Sequence, residues 1–538
     1  MAFKEIKKGH EARLKVKAGV DKACDAVRPT LGPIGMTALI EWPGLDPIEC
    51  DDGVTILKNL EFKDRYENLG LQVMRKAALR TSREGGDGTA TTTVLTQALV
   101  DAAFKEIATD SSKIREVKER LTKGLEASIA ELSKIKRDVS EDDIERIAAI
   151  SSLDGEVAKL IADVIKDVGV NGVVTVEKGS QIGYSKEVVK GARFDKGLIS
   201  PFFINDQENM QTVLTNPYIV LIDRKVSTNE QILTLLNSMG TGSDILFIAD
   251  DVDSVALGTL AQNAVNKIAN IACVRNPYTA SRAKDFLFDM AALTGATVIS
   301  EERGMKLDQQ TKDVAGSAEK VIVSRETTTI IGGKGGQELS VDFMARIKAI
   351  QDEIASSISE FSKEMLEERL AALTGGIGVI RVGAYTDTEF NAKKYKFENA
   401  INATQAALQE GILPGGGVAL IKVSSRMEDP MFKKALTAPL AQMAENAGMD
   451  SHESVSQVKE WRDYSGSISA MEEPDFDECG YDFKKKEWVN MFQAGIIDPF
   501  KVTRLALESA VAITSSLVGM ETAITLEEDT TKKDGNRT

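Results

Sequence analysis

The chain has 538 residues, of which 82 are acidic and 66 are Lys or Arg, so its formal charge is −16. A chain this acidic repels phosphate backbones and anionic lipid surfaces, which argues against a nucleic-acid-binding or membrane-docking protein. Two histidines and four widely spaced cysteines disfavour a zinc site, a disulfide framework and a Ser-His or Cys-His nucleophile. The amino-terminal residues carry no signal-peptide pattern, and we expect a protein of the reducing cytoplasm.

The first 170 residues have the apolar spacing of a mostly helical region. A break follows Pro29, and a second break lies in the glycine-rich segment Glu84–Thr89. Short β-like pieces at 38–40 and 48–50 lie between these breaks. Apolar intervals of three and four residues predict helices at about 10–30, 64–83, 90–108, 112–137 and 141–167.

After residue 170, short β-branched runs alternate with helical intervals, which is typical of an α/β domain. The predicted strands are 173–176, 218–222, 245–249, 271–274, 297–300 and 320–323, and the predicted helices are 229–239, 252–269 and 281–294. A long charged helix at about 340–373, a strand at 379–382 and a largely helical region follow. The polar residues 527–538 predict a disordered tail.

Three glycine-rich turns are candidate anion-binding sites: Thr30–Gly35, Asp87–Thr93 at a helix start, and Pro414–Gly417 before an apolar helix. Backbone N–H groups and the helix dipole favour an anion at a helix start, and Asp87 could hold Mg²⁺ beside a phosphate. Taken singly, each turn is better explained as a helix cap or end. The four Thr within 89–93 fit that explanation less well, because β-branched residues are poorer helix formers than Ala or Leu.

Common nucleotide-binding motifs are missing. The segment Gly332–Gly336 superficially resembles a P-loop, but it lacks the GxxxxGK[ST] spacing, and we interpret it as a surface turn. No GxGxxG follows a predicted strand. An ATP site in this chain would need a different set of glycine turns.

The segments TLGPIG (30–35) and DGTATTTVL (87–95) resemble TLGPKG and DGTTTATVL, the phosphate-loop sequences of the group I chaperonins, the GroEL family. ISPFFIN (199–205), TTTIIGG (327–333), EGILPGGGVAL (410–420) and DPFKVTRLALE (498–508) are similarly close to patterns of that family. The resemblance runs in order from about residue 2 to 526. On these motifs the chain is identified as a divergent member of the GroEL family.

The resemblance implies an α+β multidomain chaperonin subunit with a mainly α-helical equatorial domain, a small intermediate domain and an α/β apical domain. The equatorial domain would combine 1–133 with 411–538, the intermediate domain 134–190 with 376–410, and the apical domain would span 191–375. Periodicity alone leaves two organisations open for the outer helical regions, separate domains or one interrupted domain, and the resemblance favours the second. Gly191 and Gly375-Gly376 would lie at hinges, where glycine tolerates large backbone rotations.

The same resemblance implies that ATP and Mg²⁺ bind in the equatorial domain. Asp87 would ligate Mg²⁺, and Asp52 would help to position the attacking water, as phosphoryl transfer requires. The implied nucleotide-binding residues are Thr30, Leu31, Gly32, Pro33, Asp51, Gly53, Asp87, Gly88, Thr89, Ala90 and Thr91 near the phosphates, Ile150 and Ser151 nearby, Gly416 and Asp498 at the ribose, and Asp482 at the base.

Three positions of the implied nucleotide site depart from the family. Asp51 replaces a Lys, and Asn399 occupies the second catalytic position, where the family has a carboxylate. An amide can orient water but cannot accept its proton, so we expect slow hydrolysis unless Asp51, Asp52 or Glu398 compensates. Ala90 replaces a Thr near the monovalent-cation site, which leaves dependence on K⁺ open.

In the implied apical domain, the matches to the family include the positions that bind unfolded client proteins. Leu198, Phe202, Phe203, Leu233, Leu236 and Leu257 match positions that present apolar surface to unfolded chains, and exposed apolar patches usually mark interaction sites. Without the family, core packing would be the better interpretation of Leu233 and Leu236, because most Leu side chains are buried. Ala261 and Gln262 replace apolar family residues, so we expect a less apolar surface here.

We therefore expect an ATP-dependent chaperonin that captures non-native proteins and promotes their folding in a homo-oligomeric ring, with seven subunits as the family expectation. The alternatives are an ATP-binding holdase ring with slow hydrolysis and a structural ring without client folding. The Gly-Gly-Met repeats of the family are missing, and the acidic stretch between His452 and Cys479 is divergent. The number of rings and the need for a co-chaperonin therefore stay open.

Overall fold

The structure is a computed structural model that describes residues 4–41, 47–109, 111–152, 154–169, 172–179, 181–207, 209–279, 281–336, 341–356, 363, 366, 369–370, 373–460 and 476–526. The predicted disordered tail and residues 461–475 of the acidic stretch lie outside this part of the chain. Two compact units divide the protein, one formed by Met1–Ala162 with Asn391–Thr538 and the other by Asp163–Phe390. The three-domain boundaries stay a prediction.

The helices, in chain order, are α1 (Gly9–Val27), α2 (Gly53–Asn59), α3 (Arg65–Gly85), α4 (Thr89–Thr109), α5 (Ile114–Ile135), α6 (Glu141–Ser152), α7 (Gly155–Val168), α8 (Glu230–Met239), α9 (Ser254–Val265), α10 (Ser281–Thr294), α11 (Val341–Ser356), α12 (Asp387–Glu410), α13 (Val418–Arg426), α14 (Pro430–Ala435), α15 (Ala438–Asn446), α16 (Ser451–Lys459) and α17 (Phe500–Val518).

The strands are β1 (Lys4–Lys8), β2 (Ala38–Ile40), β3 (Ile48–Cys50), β4 (Val173–Lys178), β5 (Tyr184–Phe194), β6 (Thr212–Thr215), β7 (Tyr218–Val226), β8 (Asp244–Val252), β9 (Asn270–Arg275), β10 (Val298–Ile299), β11 (Gly316–Val323), β12 (Thr328–Gly333), β13 (Gly376–Val382), β14 (Ile412–Pro414), β15 (Cys479–Asp482), β16 (Glu487–Asn490), β17 (Ile497–Pro499) and β18 (Thr522–Leu526).

The first unit is built around helices that bury one apolar stripe each. On α1 the stripe is Ala12, Val16, Val20 and Ala23, at the three- and four-residue spacing that one helix face requires. α17 is buried on most sides and packs against α3, α4 and α5, which makes it the central helix of this core. Four two-stranded sheets lie at the margins: β1 with β18, β2 with β3, β14 with β17, and β15 with β16.

The second unit contains a ten-stranded sheet whose main order is β4-β13-β5-β12-β11-β7-β8-β9, with β10 on β7 and β6 on β11. β7, β8, β9 and β10 are parallel to one another. Successive residues of β7 enter opposite cores: Ile219 and Leu221 join the cluster that includes α10, whereas Val220 and Ile222 join the one that includes α8 and α9. A parallel sheet covered on both faces needs such continuous apolar strands.

The predicted elements mostly correspond to observed ones, but β1, β6, β12 and β14–β18 were not predicted, and three further differences follow. The predicted helix at 141–167 is two helices, α6 and α7. The segment 332–336 is not only a surface turn, because Gly332 and Gly333 end β12 before a 3₁₀ turn. β5 was not predicted, since its first half is polar and exposed. None of the helices among the described residues is long and apolar enough to cross a membrane.

Candidate functional site

The turn between α3 and α4 is the centre of the candidate site. Gly86 ends α3 in the left-handed conformation at φ 80°, and Gly88 has φ 89°. A Cβ on Gly86 would lie 2.4 Å from the Cβ of Asn402, and one on Gly88 would lie 2.6 Å from Cγ1 of Val502. Only glycine fits both the dihedral angles and the space, so this turn brings Asp87 to the amino terminus of α4 without an intervening side chain.

Asp87 itself is accessible to solvent, yet protein atoms surround its carboxylate densely enough to desolvate it. The carboxylate is therefore desolvated although the residue reaches the surface. Burial raises the pKa of the Asp87 carboxyl, the charge of Asp52 adds to the rise, and the Gly88 N–H, 2.6 Å from Oδ1, opposes it. A cation at this point would stabilise the ionised carboxylate.

Asp52 is the N-cap of α2, a role that the sequence analysis did not assign to it. Its Oδ1 accepts a hydrogen bond from the Val54 N–H at 3.3 Å, and its Oδ2 accepts from the Thr55 N–H at 2.8 Å and the Thr55 hydroxyl at 2.6 Å. The next residue, Gly53, is so close to α4 that a Cβ there would lie 3.0 Å from Cγ2 of Thr89. The amino termini of α2 and α4 therefore meet at the site.

Asp498 reaches the same place from the carboxyl-terminal part of the chain. It lies on β17, opposite Leu413 of β14, and is half-buried. Burial raises its pKa to about 7, the charge of Asp87 adds to the rise, and a hydrogen bond from the Gly417 N–H opposes it. Asp52, Asp87 and Asp498 are thus one electrostatic group, assembled from residues that lie far apart in the sequence.

The turn at Thr30–Pro33 packs beside the turn at Gly415–Gly417. The side chain of Met443 links them, because a Cβ on Gly32 would lie 2.6 Å from its Cγ and one on Gly417 would lie 3.1 Å from its Cε. The amide of Asn446 donates to the carbonyl oxygens of Arg28 and Leu31 at 3.0 and 2.8 Å. The sequence analysis missed Asn446, which follows other polar residues in the last turn of its helix and so carries no distinctive signal.

The Thr cluster divides into two groups. The hydroxyls of Thr92 and Thr93 are buried and donate to the carbonyl oxygens of Gly88 and Ala90 at 2.8 and 2.7 Å. These two residues therefore satisfy the backbone of their own helix. Thr89 and Thr91 are the two members of the cluster whose hydroxyls could still face a ligand at the start of α4.

Asn399 lies near the turn on the neighbouring helix. It is half-buried on α12, one helical turn before Ala403, whose backbone N lies 2.6 Å from where a Cβ on Gly86 would be. Asp51 is exposed and precedes the Asp52 cap. α12 therefore approaches the Asp87 turn at Asn402 and Ala403, one helical turn after Asn399.

The remaining predicted residues lie further out. Asp482 is buried, and its Oδ1 accepts from the backbone N–H groups of Lys484 and Lys485 at 2.8 and 3.1 Å, which closes the β15–β16 turn. Met491 packs against both Gly416 and Gly480, so β15 adjoins the Gly416 turn. Ile150 is exposed and Ser151 half-buried at the end of α6, one turn beyond Ile147, which packs with Ile497.

The donor set fits a hard cation with a polyphosphate. Two carboxyl groups, Asp87 and Asp498, have raised pKa values and lie beside glycine turns and a helix start that offer N–H groups to anions. Mg²⁺ characteristically takes one or two protein carboxylates and completes its shell with phosphates and water. Within the described ranges no three His, Cys, Asp or Glu side chains form a metal site by themselves.

The predicted client-facing residues differ in exposure. Phe202 is 66% exposed and Leu233 is also exposed, whereas Leu198, Leu236 and Leu257 are partly buried against the core below α8 and α9. Phe203 does not present apolar surface, because only 2% of it is exposed and it packs inside that core. The reason is the 3₁₀ turn Pro201–Phe203, which points successive side chains in different directions.

Val255 extends this surface, and the sequence analysis missed it. It is exposed on α9, the helix that packs against the 3₁₀ turn of Phe202. The signal was present, since α9 carries more apolar residues than one buried face can hold and only Ala256 and Leu260 are fully buried.

The fold and site define a multidomain α+β protein in which three carboxyl groups lie together between glycine turns and apolar side chains are exposed on the second unit. Residues 24–527 match the TCP-1/cpn60 chaperonin family, so the chain belongs to that family, and the resemblance to chaperonins is confirmed. The fold is also that of the chaperonin gp146 from bacteriophage EL 2 (Pseudomonas aeruginosa), crystallised in the presence of ATP-BeFx. The two crystal forms match at TM-scores of 0.63 and 0.58 with 22% identity, over 97% of this chain and 99% of that one.

Proposed function

We propose that this chain is an ATP-driven chaperonin that captures non-native proteins and promotes their folding in a ring-shaped homo-oligomer. The observation that carries the proposal is the convergence of Asp52, Asp87 and Asp498 on the start of α4, between glycine turns, in a chain of the chaperonin family. The ATP-BeFx in the crystals of the phage chaperonin supports nucleotide as the ligand.

In this proposal Asp87 ligates Mg²⁺, and the turns at Thr30–Pro33 and Gly88–Thr91 hold the phosphates. Gly416 and Asp498 receive the ribose, and Asp482, which borders the Gly416 turn, lies toward the base. The two raised pKa values support this assignment, because bound Mg²⁺ would offset the repulsion between carboxylates in a desolvated site. Dependence on K⁺ is left to measurement.

The alternative is an ATP-binding holdase ring with slow hydrolysis, and two observations favour it. Asn399 cannot accept a proton from water. The two oxygens of Asp52 already accept three hydrogen bonds from Val54 and Thr55, which leaves fewer acceptor positions for an attacking water. Both candidate groups can orient water, so hydrolysis is expected, although at a low rate.

The apolar surface of the second unit supports client capture. Phe202, Leu233 and Val255 are exposed on the 3₁₀ turn, α8 and α9, and the hydroxyl of Thr259 on α9 donates to Asn229 at the start of α8 at 2.8 Å. Adjacent exposed apolar side chains on one surface usually mark a site for another protein. Unfolded chains have the matching chemistry, since they expose apolar side chains of every kind.

The margins of the first unit support assembly. Leu39 on the β2–β3 hairpin is 72% exposed, and Ile6 and Ile524 face each other on β1 and β18 and are both exposed. Two-stranded sheets also leave backbone groups unpaired at their edges, and such edges readily pair with another chain. Contact between two different surfaces of identical subunits closes a ring when the rotation permits.

The proposal is tested by measuring Mg·ATP binding and phosphate release for wild type and Asp87→Asn. The variant should lose turnover by about 10²-fold or more, since the amide cannot replace an anionic metal ligand. Asp101→Asn is the matched control, because Asp101 is on the same helix and pairs with Lys17 at the surface. A wild type that binds no Mg·ATP contradicts the proposal, and one that binds ATP and unfolded protein without measurable turnover selects the holdase.

A further inference from the structure

Three buried hydroxyl groups connect the helices that surround the Asp87–Gly88 turn. Ser509 on α17, Thr81 on α3 and Thr92 on α4 are each at most 3% exposed. The Ser509 and Thr81 hydroxyls lie 3.1 Å apart, the Thr81 and Thr92 hydroxyls 3.3 Å apart, and the Thr92 hydroxyl lies 2.8 Å from the carbonyl oxygen of Gly88. They form a chain of hydrogen bonds that ends in the turn; we call it the hydroxyl chain.

Each hydroxyl has one proton, which restricts how the chain can be ordered. Thr92 donates to the Gly88 carbonyl at 2.8 Å or to the Thr81 hydroxyl at 3.3 Å, and the Thr81 hydroxyl also lies 3.2 Å from the carbonyl oxygen of Ala77. The chain is complete when Ser509 donates to Thr81, Thr81 donates to Thr92 rather than to Ala77, and Thr92 donates to Gly88. The acceptor at the end of the chain is the carbonyl oxygen of Gly88. The N–H of the same residue donates to the Asp87 carboxylate at 2.6 Å. A shift of Thr92 would therefore move the Asp87 carboxylate through a single peptide turn.

The other end of the hydroxyl chain belongs to α17, the helix that directly follows Asp498 and Pro499. α17 also places Val502 against the turn, where a Cβ on Gly88 would lie 2.6 Å from its Cγ1. α17 thus follows Asp498 in the chain and contacts the turn that carries Asp87. The hydroxyl chain fixes the turn against that helix.

We propose that Thr92, Thr81 and Ser509 are positioning residues that set the place of the Asp87–Gly88 turn for Mg·ATP. This inference rests on the proposed function. Burying three hydroxyls in an apolar core costs free energy unless each is bonded, and here they bond to one another across three helices rather than only within one. The family motif DGTTTATVL has Ala in the place of Thr92, so this hydroxyl is a property of the present chain.

Thr96 shows what a purely structural Thr does in the same helix. It is fully buried, and its hydroxyl donates to the carbonyl oxygen of Thr92 at 2.7 Å, one turn back inside α4. Thr92 has the same geometry toward Gly88, but its acceptor lies in the turn before the helix and its oxygen also meets Thr81. Thr96→Val is therefore a matched control for Thr92→Val, because both remove a buried hydroxyl from α4.

The experiment compares wild type, Thr92→Val, Thr92→Ser and Thr96→Val by thermal unfolding, Mg·ATP titration and steady-state hydrolysis. Thr92→Val should raise Kd and KM for Mg·ATP by roughly five- to thirty-fold, the effect of leaving one buried polar group unsatisfied. Thr92→Ser, which keeps the hydroxyl, should stay within about threefold of wild type. Thr96→Val should lower stability as Thr92→Val does, yet leave Kd unchanged.

A second measurement does not depend on nucleotide. Amide exchange in the nucleotide-free protein should accelerate across residues 86–89 in Thr92→Val and in Ser509→Ala, and stay at the wild-type rate in Thr96→Val. Equal Kd and equal exchange in Thr92→Val and Thr96→Val would overturn the inference. A wild type that binds no Mg·ATP would overturn the proposed function instead, and the exchange rates alone would then decide whether the hydroxyl chain positions the turn.

Discussion

Asn399 is the residue at which this chaperonin departs most from its family in chemical terms. It is half-buried on α12, one turn from the residues that contact Gly86, so it is placed to act near the Asp87 turn. Its amide offers a donor and an acceptor to water but no basic site. The position is therefore suited to holding the attacking water and not to removing its proton.

Asn399→Asp should accelerate ATP turnover at saturating ATP by at least about tenfold, since a positioned general base contributes typically about 10²–10⁴-fold. Turnover is measured by phosphate release, with ATP affinity measured separately. Asn402→Asp, on the same helix and beside Gly86, is the control for a mere change in charge.

Unchanged or slower turnover in Asn399→Asp with normal ATP binding would contradict this prediction. Asp51, Asp52 or Glu398 would then supply the chemistry. Asp52→Asn separates the roles of Asp52, because Asn is also a good N-cap and retains the start of α2 while it removes the carboxylate.

Asp498 gives the nucleotide-free protein a pH-dependent stability. Its pKa of about 7 in the folded chain lies above its ordinary value of 3.8, so the folded state keeps a proton that the unfolded state releases. The stability contributed by that proton is complete below about pH 3.8 and is lost as the pH rises toward 7. Between pH 5 and 8 the Tm of the wild type should therefore fall more than that of Asp498→Asn, by roughly 2–5 °C.

This comparison is made without nucleotide or Mg²⁺, by calorimetry at matched ionic strength. Asp101→Asn, the exposed acid on α4, should keep the wild-type slope. Equal slopes in the wild type and Asp498→Asn would show that the Asp498 carboxyl is already ionised at pH 5, and that burial beside Asp87 does not raise its pKa.

At the scale of elements, the 3₁₀ turn Pro201–Phe203 with α8 and α9 forms the proposed client surface. Phe202→Ser and Leu233→Ser should each weaken capture of a chemically unfolded protein by roughly tenfold, since each removes about 1.5–3 kcal/mol of apolar burial. Capture is measured by suppression of aggregation and by co-elution. ATP turnover should not change, because neither residue lies in the first unit.

Ile182→Ser is the matched control for Phe202→Ser. Ile182 is 65% exposed and belongs to the same unit, but it lies in the connection before β5, beside Gly383, and not on α8, α9 or the 3₁₀ turn. Equal loss of capture in both variants would mean that any exposed apolar residue of this unit contributes to client binding, wherever it lies. Full capture by Phe202→Ser and Leu233→Ser would show that clients do not bind at this surface.

The sequence predicts elements better than it predicts which side chain of an element is free. Periodicity finds α4 and the Thr-rich start of that helix, but it cannot distinguish Thr91 from Thr92, because the acceptor of Thr92 depends on how the turn folds back. Likewise, Phe202 and Phe203 are adjacent and chemically equal, and only packing against α8 and α9 decides which one is buried.

The site as a whole could not be predicted from local patterns. Asp52, Asp87 and Asp498 meet only because α2, α4 and β17 pack together, and no spacing in the sequence encodes that meeting. Similarity to a family supplied the connection. The cap made by Asp52 could be predicted from the local sequence, because Asp before a short apolar helix is a common N-cap.

At the scale of the whole molecule, the β1–β18 sheet of the first unit predicts how subunits join. Ile524→Asp places a charge on the exposed face that Ile6 and Ile524 share, opposite each other in register. If this face is covered in the ring, the subunit concentration for half assembly should rise by at least about tenfold. Mass photometry over a dilution series measures it.

Ile182→Asp serves as the control, because it introduces the same charge at an exposed isoleucine of the other unit. An Ile524→Asp protein with the oligomer distribution of the wild type would exclude the β1–β18 face from the assembly contact.

The pairing of β1 with β18 also determines when a new subunit can finish folding. Lys4 pairs with Leu526, so a strand made before α1 must wait for a strand made after α17. α17, the central helix of the first unit, is also made late, whereas Asp163–Phe390 is continuous and can fold as it emerges. Throughout most of its synthesis this chaperonin therefore exposes the apolar faces of α1, α3 and α4, and it is itself a non-native chain in need of protection.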